Sequence, residues 1–326
     1  MKLKVNLNKI LKKRVLLIGD FFLDEFLYGD SERLSPEAPV PVIKPNHSIF
    51  SLGGAGNVLS NLNNLGIKII PVGILGIDPV SIRIIKDLKE KRVNSKNFII
   101  DRKYTAIRKK RIILKNQHIA RIDYEKINLQ TTLRNEKKIK NKILNLIRKA
   151  DLLIISDYGK GTLTNNLIKF SIDCANNLKI QTVVDPRKMN NDYSFYRGAS
   201  FITPNFNELK NIFPKLLNSD LEIIEACKNL KEKYNFEYIV ATRGEKGISL
   251  YKDEKFYFNF KAAPQEIYDV SGAGDTVVAV LAACLLLNID LKKAMKLANL
   301  CAGHVISLKG TKPITLNYFK KFLKFL

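Results

Sequence analysis

Short β-branched runs recur along this chain and restrict its fold more than any other feature. Arg14-Val15-Leu16-Leu17-Ile18-Gly19-Asp20 is the first, followed by 69–75, Leu152–Ser156, Thr182–Asp185, 201–203 and Tyr238–Thr242. A strand that is apolar without alternation is buried on both faces, as in a parallel sheet. Stretches of helical period, such as 131–149 and 219–233, separate most of these runs. That order predicts βαβ crossovers and a mostly parallel sheet covered by helices on both sides, an α/β fold. With 326 residues, 46% of them hydrophobic, the chain can bury one large core, and no repeat or linker divides it. One domain over 1–326 is expected.

Two regions break the alternation. Near 33–45 lies the proline-studded Ser35-Pro36-Glu37-Ala38-Pro39-Val40-Pro41-Val42, and 105–124 holds two short runs around Lys115-Asn116-Gln117. Both read as exposed β structure, the first as an edge strand and the second as a hairpin.

Composition removes several functional classes. The formal charge is +24, but the lysines are spread over nearly every predicted helix instead of forming one block with interleaved aromatics. No nucleic-acid partner is expected. The longest apolar run, 277–287, is far shorter than the roughly 20 residues that span a bilayer, so no membrane partner is expected either. The basic start lacks an apolar block with a cleavage site, which predicts a cytoplasmic protein. Cys174, Cys227, Cys284 and Cys301 lack Cys-x-x-Cys spacing, and the three histidines are scattered, so neither a disulfide nor a zinc site is expected.

Chemistry concentrates at Tyr268-Asp269-Val270-Ser271-Gly272-Ala273-Gly274-Asp275-Thr276, which runs into an apolar helix. Amides at a helix start are unpaired and sit at the positive end of the dipole, and Gly272 and Gly274 admit an anion close to them. Asp275 beside such a hole can accept the proton of an attacking hydroxyl while the amides hold a moving phosphoryl group. The simpler alternative is a helix cap in which Ser271 or Asp275 satisfies the amides.

A second glycine segment, Gly53-Gly54-Ala55-Gly56-Asn57, lies near the other end, and Asp20 and Asp24 follow the first strand. Carboxylates there suit sugar hydroxyls, and Asn57 offers both a donor and an acceptor. The pair of distant glycine segments resembles the ribokinase or pfkB family of sugar kinases over nearly the whole chain. That resemblance implies a ribokinase-like three-layer α/β/α fold with a small β lid, and a homodimer formed through the lid. It implies ATP and Mg²⁺, with a monovalent cation as a further candidate. It makes Asp275, Gly272, Ala273 and Gly274 catalytic, and assigns Asp20, Asp24, Gly53, Gly54 and Asn57 to the sugar. Asn205, Phe206, Asn207 and Glu208 match the family's Asn-x-x-Glu element for phosphate and magnesium, with Glu208 acting indirectly. Thr242, Arg243, Gly244 and Gly247 resemble its nucleotide-phosphate loop, and Thr276, Asn299 and Gly310 join the nucleotide side. Leu59 departs from the small residue usual there. No Gly-x-x-x-x-Gly-Lys-Ser/Thr occurs, which excludes a P-loop kinase.

Within the family, the string from Arg33 to Val42, Ser156-Asp157-Tyr158-Gly159-Lys160-Gly161 and Asp185-Pro186 resemble the kinases of heptose phosphates in lipopolysaccharide core synthesis. The implied acceptor is the anomeric hydroxyl of D-glycero-D-manno-heptose 7-phosphate. A phosphorylated sugar needs cations, and Lys109, Arg111, Arg121 and Lys160 are the candidates, with Arg108 and Arg187 beside them. The nucleotidyltransferase domain of many relatives carries His-x-Gly-His, which this sequence lacks, so no such domain is expected. The alternatives are another sugar, sugar phosphate or nucleoside as acceptor, and more remotely a non-catalytic basic protein that binds nucleic acid.

Overall fold

In the strand Arg14–Gly19 only the first residue is exposed, as a parallel strand covered on both faces requires. It pairs in parallel with Lys68–Val72 on one side and Leu152–Ser156 on the other. Thr182–Asp185, Phe201–Ile202 and Tyr238–Thr242 continue the parallel array. Ile248–Asp253 and Phe256–Phe260 then close the eight-stranded sheet as an antiparallel edge. The structure, a computed structural model, describes residues 7–115, 117–127, 129–187, 192–213, 219–262 and 268–325. Asn116, at the expected hairpin turn, lies outside them.

Helices cover the sheet. Ala273–Leu286 is apolar around its whole circumference and buried from Asp275 to Cys284, the pattern of a helix enclosed on all sides. It packs against Ala55–Asn64, Leu291–Ile306 and the strand Thr182–Asp185. Three neighbours fix its axis, and with it the glycine turn at its start. Leu59 on Ala55–Asn64 is fully buried in the same core.

Beside the main sheet stands a four-stranded lid in the order Lys44–Gly54, Phe21–Asp30, Arg108–Leu114 and Gln117–Tyr124. The expected hairpin of 105–124 is its outer half. Its inner half differs from the sequence reading: 34–43 makes only an isolated Leu34–Pro41 bridge, and the strand begins at Lys44. Pro36, Pro39 and Pro41 remove the N–H donors a ladder needs. The chain first passes from the main sheet into the lid through Asp20, the single residue between Arg14–Gly19 and Phe21–Asp30. The sequence of Phe21–Asp30 carries no strand pattern, because Asp24 and Glu25 put a carboxylate on each of its faces and break the alternation of apolar and polar residues.

Candidate active site

The carboxyl ends of the parallel strands deliver Asp20, Asp157, Asp185 and Thr203 to one rim, where open α/β sheets bind ligands. Helix Ala273–Leu286 begins there. Its N-cap, Gly272, holds the left-handed conformation at φ 85° and no side chain caps the turn, so the capping alternative does not apply. A Cβ on Gly272 would lie 2.4 Å from Asn57 Nδ2, whereas one on Gly274 would meet nothing within 4 Å. The turn is therefore closed toward Asn57 and open at Gly274.

Asp275, one residue further on, is only 5% exposed. Its Oδ2 accepts from Asn57 Nδ2 at 2.7 Å and its Oδ1 from Tyr158 Oη at 2.8 Å. Burial pushes its carboxyl up to about 6, and the two hydrogen bonds oppose that rise. Asp185 is held well above the usual carboxylate range by burial and then by the charges of Asp275, Glu208 and Asp157. Asp157 is raised to about 6 by burial and by Asp20, with Arg187 opposing.

A cavity of about 760 Å³ opens on one side of the turn, lined by Asn205, Phe206, Asn207, Thr242, Arg243, Gly244, Gly247, Ala273, Gly274 and Asn299 among others. Ten of the residues singled out from the sequence thus meet around one space. Val270 of the glycine turn also lines it, as do Ala302, Gly303 and Ile306; the last three, being ordinary apolar and small residues, carry no signal in the sequence. Arg243 is held from behind by Asp220 Oδ1 at 2.5 Å and the Lys246 carbonyl. Glu208 lies outside that lining: in a capping box its Oε2 accepts from the Asn205 N–H and its Oε1 from Asn205 Nδ2. Thr276 turns inward and donates to the Gly272 carbonyl. Gly310, expected on the nucleotide side, lines a second cavity of about 320 Å³ with lid residues Phe26, Arg111 and Arg121, which shares Val270 with the first.

On the lid side the glycine pair has a reason the sequence did not disclose. A Cβ on Gly53 would lie 2.3 Å from the Phe22 ring and 2.4 Å from Asp24 Oδ2, and one on Gly54 2.4 Å from the same ring. The close approach is to Phe22 and Asp24 across the ladder. Asp24 accepts from Arg111 Nη1 at 2.5 Å, and burial raises its carboxyl against that partner. Asp20 differs from its expected role as a hydroxyl acceptor for sugar. Its buried carboxylate accepts the backbone N–H groups of Tyr158, Lys160 and Thr162 at 3.0, 3.0 and 2.9 Å. It organises the loop after Leu152–Ser156.

Most of the expected cation cluster is already paired. Arg111 meets Asp24, Arg121 meets Asp123 at 3.0 Å, Arg108 and Lys110 share Glu25, and Lys160 meets Glu125. Lys109 makes no ion pair among the described residues; its ammonium stands 4.6 Å from the Phe22 ring centroid. Burial and then Lys160 lower it. The charges of Asp24, Asp123 and Glu125 oppose that lowering.

A profile of the family described as pfkB family carbohydrate kinase matches residues 12–316. The chain is 36% identical over 306 residues to the bifunctional protein HldE of Aliarcobacter butzleri, covering 94% of this chain and 63% of that protein. It is 39% identical over 300 residues to HldE of Helicobacter pylori, covering 92% and 64%. The chain therefore spans less than two thirds of the length of these curated relatives. Among solved structures, phosphofructokinase-2 of Escherichia coli in complex with substrates and products matches with a TM-score of 0.79 at 16% identity, over 96% of this chain and 99% of that one. Ribokinase of Arabidopsis thaliana complexed with ribose and ATP matches at 0.75 and 15%, over 96% and 99%. At such identities the likeness is one of fold.

Proposed function

Because the chain belongs to the pfkB family of carbohydrate kinases, we propose that it transfers the γ-phosphoryl group of ATP to the anomeric hydroxyl of D-glycero-D-manno-heptose 7-phosphate, in ADP-heptose synthesis for the lipopolysaccharide core. One observation carries the reading: the Asp275 carboxylate stands at an uncapped helix start, beside the 760 Å³ cavity and within reach of the lid-side residue Asn57. The nucleotide occupies the cavity with its phosphates toward the amides of Gly272 to Asp275. Asp275 accepts the proton of the sugar hydroxyl as the phosphoryl group leaves, and a carboxyl near 6 is ionised yet basic enough at neutral pH. Asp24, Gly53, Gly54 and Asn57 frame the sugar, and closure of the lid excludes water. Lys109 and Lys160 face the sugar's existing phosphate, Lys160 by exchanging Glu125 for it.

The surroundings of Glu208 fit Mg²⁺, since its oxygens are committed to Asn205 and can serve a hard cation only through water, next to an excess of buried carboxylates. When bound, the ion supplies positive charge against the phosphates. The strand Gln117–Tyr124 is exposed along its whole length, with Ile119, Ile122 and Tyr124 open to solvent. Such an edge supports a homodimer through the lid, in the cytoplasm where ATP is available.

Two results check this reading. Measured by ADP release across a panel of sugar phosphates, free sugars and nucleosides, heptose 7-phosphate should exceed the others by about tenfold or more in kcat/KM, the scale of a site built around specific polar contacts. Preference for another acceptor overturns the substrate. In Gly272→Ala, the new Cβ displaces the Asn57 amide from Asp275 and adds about 1 kcal/mol of left-handed strain. Turnover should fall at least about tenfold with a modest drop in melting temperature; unchanged turnover would separate Asn57 from the chemistry.

A further inference from the structure

Tyr158 has no role in the reading above, yet its hydroxyl is one of the two donors to Asp275. Its ring is pinned from two sides. The loop that carries it is fixed by Asp20 through the N–H groups of Tyr158, Lys160 and Thr162, and by Asp157, which accepts from Gly159 N–H at 2.8 Å. The ring packs edge-on against Phe22 with centroids 5.4 Å apart, and Phe22 in turn rests on Gly53 and Gly54. The other donor, Asn57, is steadied by Asn61, whose Nδ2 donates to the Asn57 carbonyl at 2.9 Å. Each carboxylate oxygen of Asp275 thus takes one fixed donor and keeps a free lone pair.

We infer that Tyr158 is a positioning residue for the kinase reaction: its hydroxyl fixes the rotamer of Asp275 and favours the ionised carboxylate that receives the sugar proton. The inference rests on the reading of Asp275 as proton acceptor. A hydrogen bond to the charged form stabilises that form, and inside a dry site nothing else on this side replaces it. The charged and titratable groups that face the pair are Asp24 from the lid with its partner Arg111, and Asp185 from the main sheet. Asp24 and burial oppose ionisation of Asp275, while Asp185 is itself raised by the charge of Asp275, so the two neutral donors are what keep a proton acceptor available near pH 7. Asp20 acts one step further back, by aiming Tyr158.

The test is Tyr158→Phe in the full chain, which keeps the ring and its packing on Phe22. Two measurements are made on wild type and variant: the pH dependence of kcat and KM on the sugar phosphate that wild type turns over, and a ¹³C-carboxyl titration of Asp275 in the unliganded protein. Expected are a kcat at pH 7 lower by about tenfold, a sugar KM within about threefold, and an acid limb and carboxyl midpoint moved up by about one pH unit, the effect of one hydrogen bond to a carboxylate. The substrate's own phosphate titrates in the same range with both proteins and cancels in the comparison. An unmoved midpoint overturns the proposal, as does a rise in KM with an unmoved acid limb, which makes Tyr158 a sugar contact. Absence of turnover by wild type on every acceptor defeats the kinase reading instead, and the titration still decides what Tyr158 does to Asp275.

Discussion

Asn in place of Asp275 should cost about 10² or more in kcat while leaving a folded protein that still binds nucleotide, the scale of a lost general base. The substitution is structurally mild. Asn57 can still donate to the new side-chain oxygen, and the Tyr158 hydroxyl can reverse its role and accept from the new amide. Stability should not suffer at neutral pH. Burial holds the folded-state carboxyl of Asp275 at about 6, above the ordinary 3.8. The native state therefore holds a proton that the unfolded chain releases across that window, and burial of the ionised group opposes folding fully above pH 6 and ceases to do so below about 4. The variant should melt no lower than wild type at pH 8, and its advantage should shrink as pH falls through that window. Thermal melts at a series of pH values, with turnover measured alongside, check both parts. Near-normal turnover would remove Asp275 from the mechanism.

Asp20→Ala should produce the largest loss of stability. The carboxylate is 1% exposed and is the shared acceptor for the N–H groups of Tyr158, Lys160 and Thr162. Removing it strands these donors in a partly buried loop, at about 1–3 kcal/mol for each that water cannot reach. A total near 3 kcal/mol corresponds to a melting temperature lower by about 4 °C for a chain of 326 residues. Turnover should fall as well, because Tyr158 is no longer aimed at Asp275. If Asp20 instead served the sugar directly, the variant would keep its melting temperature and lose only sugar affinity. A denaturation curve read beside the sugar KM separates these outcomes.

These two aspartates show how far the residues could be read before their neighbours were known. Asp275 was legible because its surroundings are contiguous: glycines, carboxylate and apolar helix follow one another, and local geometry suffices to place amides beside an acid. The parallel strands were legible for the same reason, since burial on both faces writes a continuous apolar run. Asp20 looked like Asp24, a carboxylate just past a strand. Its partners lie 138 to 142 positions away, on a loop that only the pairing of Arg14–Gly19 with Leu152–Ser156 brings alongside. Gly53 and Gly54 were recognised as special, but the ring and carboxylate that require them belong to a strand hidden by acids on both its faces. The lid cations were legible as a group and not as individuals, because pairing with Asp24, Asp123, Glu25 or Glu125 depends on strand register.

What the chain declares by itself is its α/β class, the glycine turn that opens a buried helix, and the family whose pattern these features share, all consequences of neighbours within a few residues or of a repeated period. The tertiary structure alone decided that Asn57 and Tyr158 grip Asp275, that Asp20 builds a loop, and that Lys109 makes no ion pair among the described residues. Those are long-range contacts, set by which strand lies beside which and by what burial leaves each polar group to bond with, and no local pattern encodes them.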